Sequence, residues 1–269
     1  MNFSSVIDEK IISSSPLSGG CIGSCYRVKT SSHDYFIKYY SKRNISKEEA
    51  RGIKELGKSN TVKVPEVLKV DDHFLVLKFI YQASKVKDFQ IILGTELALL
   101  HKTTTSQFGF YENNHIGSTP QINKFKKTWI NFYLENRLDY QVSISGDKDV
   151  IDAYKKLRAK IPEILKGSLE EPCLIHGDLW GGNVISNEAG NPVLIDPAVY
   201  YGNRELELAM TRLFGGFTSE FYISYNNEYP LKTYWEERQN IYKLYHILNH
   251  FNLFGSSYKH EALELMKVY

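Results

Sequence analysis

The stretch L-I-H-G-D-L-W-G-G-N-V at residues 174–184, followed by V-L-I-D-P-A at residues 193–198, constrains this chain more than any other feature. Asp178 lies in a turn after His176 and Gly177, and Asn183 stands five residues further on. Asp196 closes a short strand–turn–strand return. Two acids and an amide in this order are what phosphoryl transfer requires: a carboxylate to orient an attacking hydroxyl and two oxygen ligands for magnesium. In this reading Asp178 is the general base, and Asn183 and Asp196 hold the metal ion. His176 fixes the loop through side-chain hydrogen bonds.

Composition removes several other classes. A chain of 269 residues, 42% hydrophobic and 24% charged, has the make-up of an ordinary globular protein with a full core. Lysine and arginine total 33 against 31 acids, a net charge of +2, so a polyanion such as nucleic acid is not the expected partner. The start M-N-F-S-S-V-I-D-E-K lacks the basic and apolar stretches of a secretion signal, and no apolar run reaches the roughly 18 residues of a membrane span. Three cysteines, Cys21, Cys25 and Cys173, form neither a disulfide framework nor a zinc spacing. A cytoplasmic protein is expected, away from membranes, as a monomer or weak homodimer.

The first part of the chain reads as strands around one helix. Apolar and β-branched runs with turn signals mark strands at 11–16, 25–29, 35–39, 62–70 and 73–79, with Ser31-Ser32-His33-Asp34 as a hairpin turn. Residues 46–56 read as a helix with Ile53 and Leu56 on one face and Gly57 as its stop. After Phe79 helical spacing takes over, at 89–102, 125–140, 150–165, 205–214, 234–252 and 257–268. Only 173–175, 184–186 and 193–195 read as strands in this part. The expected fold is α+β and bilobal: a small antiparallel sheet with one main helix over residues 1–80, and a mainly helical lobe over 81–269. A nucleotide would lie between them.

Further motifs fit that arrangement. Glycines at Gly19, Gly20 and Gly23, flanking Cys21, sit between two expected strands, where backbone N–H groups can approach phosphate oxygens. The run is neither a Walker A sequence nor a dinucleotide fingerprint. Lys38 follows in F-I-K-Y-Y, and a partly buried ammonium needs an anionic partner: nucleotide phosphates and a helix glutamate. Glu49 shares a helix face with Ile53 and Leu56 and is the preferred partner, with Glu48 as the substitute. Ser46-Lys47-Glu48-Glu49 also fits a capping box, which would fold Glu49 back on the Ser46 N–H. His246 and His250 stand four apart, but no H-E-x-x-H pattern accompanies them, so packing of an aromatic-rich helix is the expected role, with His250 a candidate substrate contact. Lys124, Lys126 and Lys127 read as a solvated helix face. Together these residues describe a small-molecule kinase.

Loop, lysine, glutamate and catalytic stretch resemble the protein-kinase-like fold, in the aminoglycoside phosphotransferase and choline kinase branch. The segments S-G-G-C-I, E-A-R-G-I, F-G-F, P-Q-I-N, H-G-D-L-W-G-G-N, D-P-A-V-Y-Y-G, L-F-G-G-F and Y-H-I-L-N-H-F-N-L-F-G narrow this to a resemblance to the fructosamine (ketosamine) 3-kinase family. The resemblance runs from about Gly19 to Tyr258. It implies ATP- and Mg2+-dependent phosphorylation of the 3-hydroxyl of a ketosamine, free or on a protein lysine, in deglycation. By position it makes Asp178 the base, Asn183 and Asp196 the metal ligands, and Lys38 with Glu49 the pair that orients the phosphates. Adenine would bond to backbone groups of Leu77, Lys78, Phe79 and Ile80, with Lys78 standing where family members often carry an acid. Trp180 and His250 would contact the sugar. Glu207 stands where kinase-like proteins often have an aspartate supporting the catalytic loop, and it is one methylene longer. Cys21, within the phosphate loop, would be placed to form a disulfide between chains and disable nucleotide binding.

The nearest rival is a kinase of another small hydroxyl compound, an aminoglycoside or a choline-like amine, whose cationic substrate calls for an acidic or aromatic-caged pocket. A nucleotide-binding pseudokinase scaffold would need the loss of Lys38, Asp178, Asn183 or Asp196, and all four are present.

Overall fold

The computed structural model describes residues 3–17 and 23–269. Gly19, Gly20 and Cys21 of the expected phosphate loop lie outside them. Five antiparallel strands, β1 (Ile11–Leu17), β2 (Ser24–Thr30), β3 (Asp34–Tyr39), β4 (Val67–Val70) and β5 (Phe74–Lys78), form one sheet in the order β1-β2-β3-β5-β4. Helix α1 (Ile45–Lys58) connects β3 to β4. The two-residue period of β3 sends Ile37 into a cluster with Phe3, Val28 and Val76 on one face. Lys38 therefore points to the other face, where α1 packs through Ile45, Ala50 and Ile53 against Leu75 and Leu77.

Strand β4 is shorter than the run expected over 62–70. Pro65 has no N–H for a ladder, and the pairing with β5 starts only at Val67. Helix α1 passes through Gly57 and is capped by Ser59, with Asn60 following at φ 56°, so Asn60 supplies the left-handed residue that glycine was expected to supply. The capping box does not form. Asn44 takes the N-cap position, the Ser46 hydroxyl donates to the Asp71 carbonyl, and Glu49 turns to Lys38.

Beyond β5 the chain is mainly helical. Helix α2 (Phe89–Leu100) is followed by α3 (Trp129–Phe132), a π-helical turn (Tyr133–Leu138) and α4 (Asp139–Ser145). The helix expected over 125–140 thus begins later, where Thr128 accepts from the Asn131 N–H. The one expected over 150–165 is two, α5 (Lys148–Arg158) and α6 (Ile161–Ile164). Pro162 is the cause, since its ring collides with the carbonyl four residues earlier, at Arg158, where α5 stops. Helices α7 (Arg204–Thr211), α8 (Ser219–Glu228), α9 (Trp235–Phe254) and α10 (Lys259–Lys267) complete the set.

Strands β8 (Cys173–Ile175), β9 (Val184–Ser186) and β10 (Pro192–Leu194) lie close to their expected positions, and β9 pairs with β10 as a hairpin. Three strands and one helix were not expected: the hairpin β6 (Asn114–Ile116)–β7 (Thr119–Gln121), β11 (Tyr200–Gly202), which pairs with β8, and α8. Three residues are too few for an alternating pattern to show. The largest core joins α2, α7 and α9 through Leu93, Leu97, Leu208 and Ile247 around the catalytic stretch, with Ile175 and Leu179 inside it.

Candidate active site

Between the sheet and the helices lies a cavity of about 650 Å³ whose lining includes Lys38, Glu49, Asp178, Asn183 and Asp196. The Lys38 ammonium donates to Glu49 Oε1 at 2.9 Å and to Asp196 Oδ1, and the Tyr40 hydroxyl donates to the second oxygen of Glu49. Burial alone would discharge that ammonium. Glu49, Tyr40 and Asp196 outweigh it and hold the pKa above the ordinary lysine range.

The catalytic stretch leaves β8 buried and turns at Gly177, whose φ of 84° is open to glycine; a Cβ there would stand 2.1 Å from the Ala198 carbonyl oxygen. Glu207 of α7 receives the loop from below. Its two oxygens accept from the backbone N–H of His176 at 3.0 Å and of Gly177 at 2.7 Å. His101 bonds the same carboxylate at 2.9 Å and the Tyr225 hydroxyl at 2.7 Å. Burial would raise the pKa of Glu207, but the hydrogen bonds from His101 and the loop lower it below the carboxylate norm, so it stays ionised. The extra methylene of glutamate is thus used to bridge two successive backbone donors.

His176 is buried and neutral, its pKa lowered by burial. Its Nδ1 accepts from the Asp178 N–H at 3.3 Å, so Nε2 carries the proton donated to the Ile195 carbonyl at 2.8 Å. This ties the loop to the residue before Asp196. Asp196 itself is left-handed at φ 55°, an uncommon conformation for a residue with a Cβ and one found at functional sites. The Asn183 amide nitrogen donates to the Asp178 carbonyl at 2.8 Å and to its carboxylate at 3.3 Å, which leaves the amide oxygen as a donor to a cation. Burial and the nearby Asp196 carboxylate push Asp178 up to about 7. Among the described residues no group of three or more His, Cys, Asp or Glu could hold a metal ion, so a cation here would rest on one amide and one carboxylate.

The same lining includes the apolar Leu17, Phe36, Leu77 and Ile185, with Gly23, Lys78, Phe79 and Ile80, and also Trp180. Trp180 is 39% exposed, and its ring lies edge-on to Phe214 at 6.4 Å. Phe214 continues to His250 at 4.8 Å, so His250 stands one ring away from the cavity wall. Gly181 packs against Gly215 and Gly216 so closely that a Cβ would sit 3.0 Å from the Gly215 carbonyl; the W-G-G and F-G-G segments meet backbone to backbone.

Sequence reasoning missed His101, Tyr40 and the pair of Glu48 with His115. His101 lies four residues after Leu97 on the buried face of α2, and a polar residue on an apolar stripe was its signal. Nothing local marks Glu48, whose partner His115 lies on a distant hairpin, and Tyr40, although only nine residues before Glu49, carries no pattern that singles it out.

A sequence profile of the fructosamine kinase family matches residues 3–269. The chloroplastic protein-ribulosamine 3-kinase of Oryza sativa subsp. japonica is 39% identical over 273 residues, covering 97% of this chain and 79% of that one. A candidate fructosamine-3-kinase of Thermobifida fusca superposes with a TM-score of 0.89 at 26% identity, covering 98% of this chain and 95% of that one. At 13% identity, an aminoglycoside phosphotransferase mutant solved with ADP and hygromycin B has a TM-score of 0.65 over 96% of this chain and 93% of its own, which shows the shared protein-kinase-like fold. With its whole described length matched, this chain belongs to the fructosamine kinase family.

Proposed function

We propose that this protein is an ATP-dependent kinase that phosphorylates the 3-hydroxyl of ketosamines, adducts of the fructosamine and ribulosamine type on free amines or protein lysines. The observation that carries this reading is the gathering of Lys38, Glu49, Asp178, Asn183 and Asp196 on one cavity in a chain of this family. In this reading residues 1–80 bind the nucleotide and 81–269 carry the catalytic loop and the acceptor.

Adenine lies against Leu17, Phe36 and Ile185, with backbone groups of residues 77–80 bonding its edge. Lys38, held charged by its neighbours, orients the phosphates. The Asn183 amide oxygen and the Asp196 carboxylate, both hard oxygen donors, suit magnesium, which when bound would neutralise charge on the transferring phosphoryl group. Asp178 orients the acceptor hydroxyl and takes its proton. Glu207, through His176 and Gly177, fixes the height of that carboxylate in the cavity, and the Trp180 ring offers a face to the sugar.

No helix among the described residues is long and apolar enough to cross a membrane. Deglycation in the cytoplasm is part of this proposal, as is a monomer or weak homodimer, and so is a Cys21 disulfide that would disable the site. Non-reducing gels of oxidised wild type and Cys21→Ala test the last: a wild type that stays monomeric contradicts it.

The function is tested by incubating the protein with Mg-ATP and a panel of ribulosamines, fructosamines, aminoglycosides and choline. ADP release with the ketosamines alone supports the assignment. Turnover of an aminoglycoside or choline with none on ketosamines would replace it with the rival kinase, and nucleotide binding without turnover would leave a scaffold.

A further inference from the structure

Helix α1 carries Glu49 towards Lys38, but its neighbouring face is used as well. Glu48, Arg51, Gly52 and Glu55 follow the spacing i, i+3, i+4, i+7 and so form one stripe along the helix. Every one of them meets the helical part. Glu48 Oε2 lies 2.6 Å from His115 Nδ1 on β6, and the Arg51 guanidinium pairs with Glu112. Glu55 accepts from the Tyr201 hydroxyl at 3.2 Å through one oxygen and from the Tyr111 hydroxyl at 3.3 Å through the other. Gly52 lies directly over the chain that follows Asp196: a Cβ there would stand 3.3 Å from a Val199 methyl and 3.6 Å from the Pro197 ring.

Two independent connections therefore run from α1 to the neighbourhood of Asp196. Through its side chain, Glu49 reaches Lys38, which bonds Asp196. Through its backbone, α1 rests on Pro197 and Val199 and is tied to Tyr201 on β11, whose partner β8 leads into the catalytic loop. The E-A-R-G-I run, conspicuous in the sequence but given no task by the chemistry, divides between these two connections. Its glutamate faces the ammonium, and its arginine and glycine face the other lobe.

We propose that the Glu48–Arg51–Gly52–Glu55 stripe is a clamp that holds α1 against the 197–201 segment, so that the Lys38–Glu49–Asp196 arrangement is assembled before nucleotide arrives. Glu55, Arg51 and Gly52 act as positioning residues: they touch no substrate, and they act through Glu49 and Asp196. The two tyrosines are suited to the part. Burial first, and then the Glu55 carboxylate, pushes both Tyr111 and Tyr201 up to about 12, so each remains a hydroxyl donor at neutral pH. Glycine at position 52 lets the helix approach closely, and a β-branched side chain there would have to displace Val199 or move the helix.

The clamp rests on the reading of Lys38 and Glu49 as the phosphate-orienting pair, and it is tested by comparing wild type, Glu55→Ala, Glu55→Gln and Gly52→Val. MgADP affinity is measured by calorimetry, and kcat and both KM values by steady-state kinetics. Glu55→Ala removes both tyrosine hydrogen bonds, together with the exposed Lys58 contact at 2.8 Å within the same helix, and should weaken MgADP binding roughly three- to tenfold, raise the KM for ATP and lower kcat, with the KM for the acceptor unchanged. Gly52→Val should do the same, and Glu55→Gln, which keeps an acceptor oxygen, should recover most of the loss. If Glu55→Ala does not fold, the Tyr111→Phe/Tyr201→Phe double variant removes the same two bonds from the other side and should give the same pattern. Folded variants with wild-type MgADP affinity and wild-type KM for ATP would overturn the clamp alone, as would an effect confined to the acceptor KM. A wild-type protein that binds no MgADP would overturn the kinase reading together with the clamp.

Discussion

The catalytic loop at residues 176–183 and the Lys38–Glu49 pair face the same cavity but are held in different ways. The loop is fixed from the interior: His176 and Gly177 give their backbone N–H groups to the buried Glu207, which is held by His101, itself bonded to the Tyr225 hydroxyl. No solvent-exposed side chain takes part. The pair is fixed within the cavity wall by side chains, on a helix that must be kept in place by contacts with the other lobe. The contrast matches the demands of each end. A base must meet a hydroxyl within a few tenths of an ångström, and misplacement by about 1 Å can cost 10²-fold. Phosphate oxygens, by contrast, respond to charge over a longer and less directional range.

Changes on the loop side should therefore act on turnover, and changes on the pair side on nucleotide affinity as well. The largest effect is expected for Asp178→Asn, which removes the proposed base while keeping the shape: kcat should fall about 10²–10⁴-fold with MgADP affinity near wild type in calorimetry. A comparable loss of affinity would break the comparison. Glu207→Ala should come next. It leaves buried donors of His176 and Gly177 unpaired, at about 1–3 kcal/mol for each, and a fall in Tm should accompany a fall in kcat. Unchanged Tm would show that the loop holds its shape without this support.

Asp196→Ala is expected to weaken nucleotide and magnesium binding together, because it takes away the proposed metal ligand and one of the two carboxylates on Lys38. A titration of MgADP against ADP alone would show the metal-dependent part disappearing; equal loss with and without metal would assign Asp196 to Lys38 only. The smallest effect is expected for Trp180→Ala, a partly exposed residue proposed to face the acceptor. The KM for ketosamine should rise by about three- to tenfold, within the roughly 0.5–1.5 kcal/mol of a ring contact, with the KM for ATP unaffected. A change in the ATP value would place this ring at the wrong end of the cleft.

The same comparison explains what the sequence disclosed. Asp178, Asn183 and the Val193–Ala198 run lie close together along the chain, so their spacing alone brings them to one place. Lys38 could be read from its apolar neighbours Phe36 and Ile37, and Glu49 from the helix face it shares with Ile53 and Leu56. The supports were not legible in that way. Glu55 meets Tyr201 and Tyr111 only once two elements far apart in the chain are packed, and β6, β7 and β11 are three residues each. The capping-box reading of Ser46 and Glu49 failed for a related reason, because a long-range partner, the Lys38 ammonium, outcompeted a local backbone N–H. Pro162, in contrast, was a local signal of a helix boundary in plain view.

Phosphorus–proton correlation NMR of the product from a ribulosamine, Mg-ATP and this protein tests the central claim most directly, with Asp178→Asn run in parallel. The expected result is one new phosphate ester coupled to the proton on sugar carbon 3, absent or strongly reduced with Asp178→Asn. A phosphate on any other oxygen, or the same product at the same rate from Asp178→Asn, would contradict it.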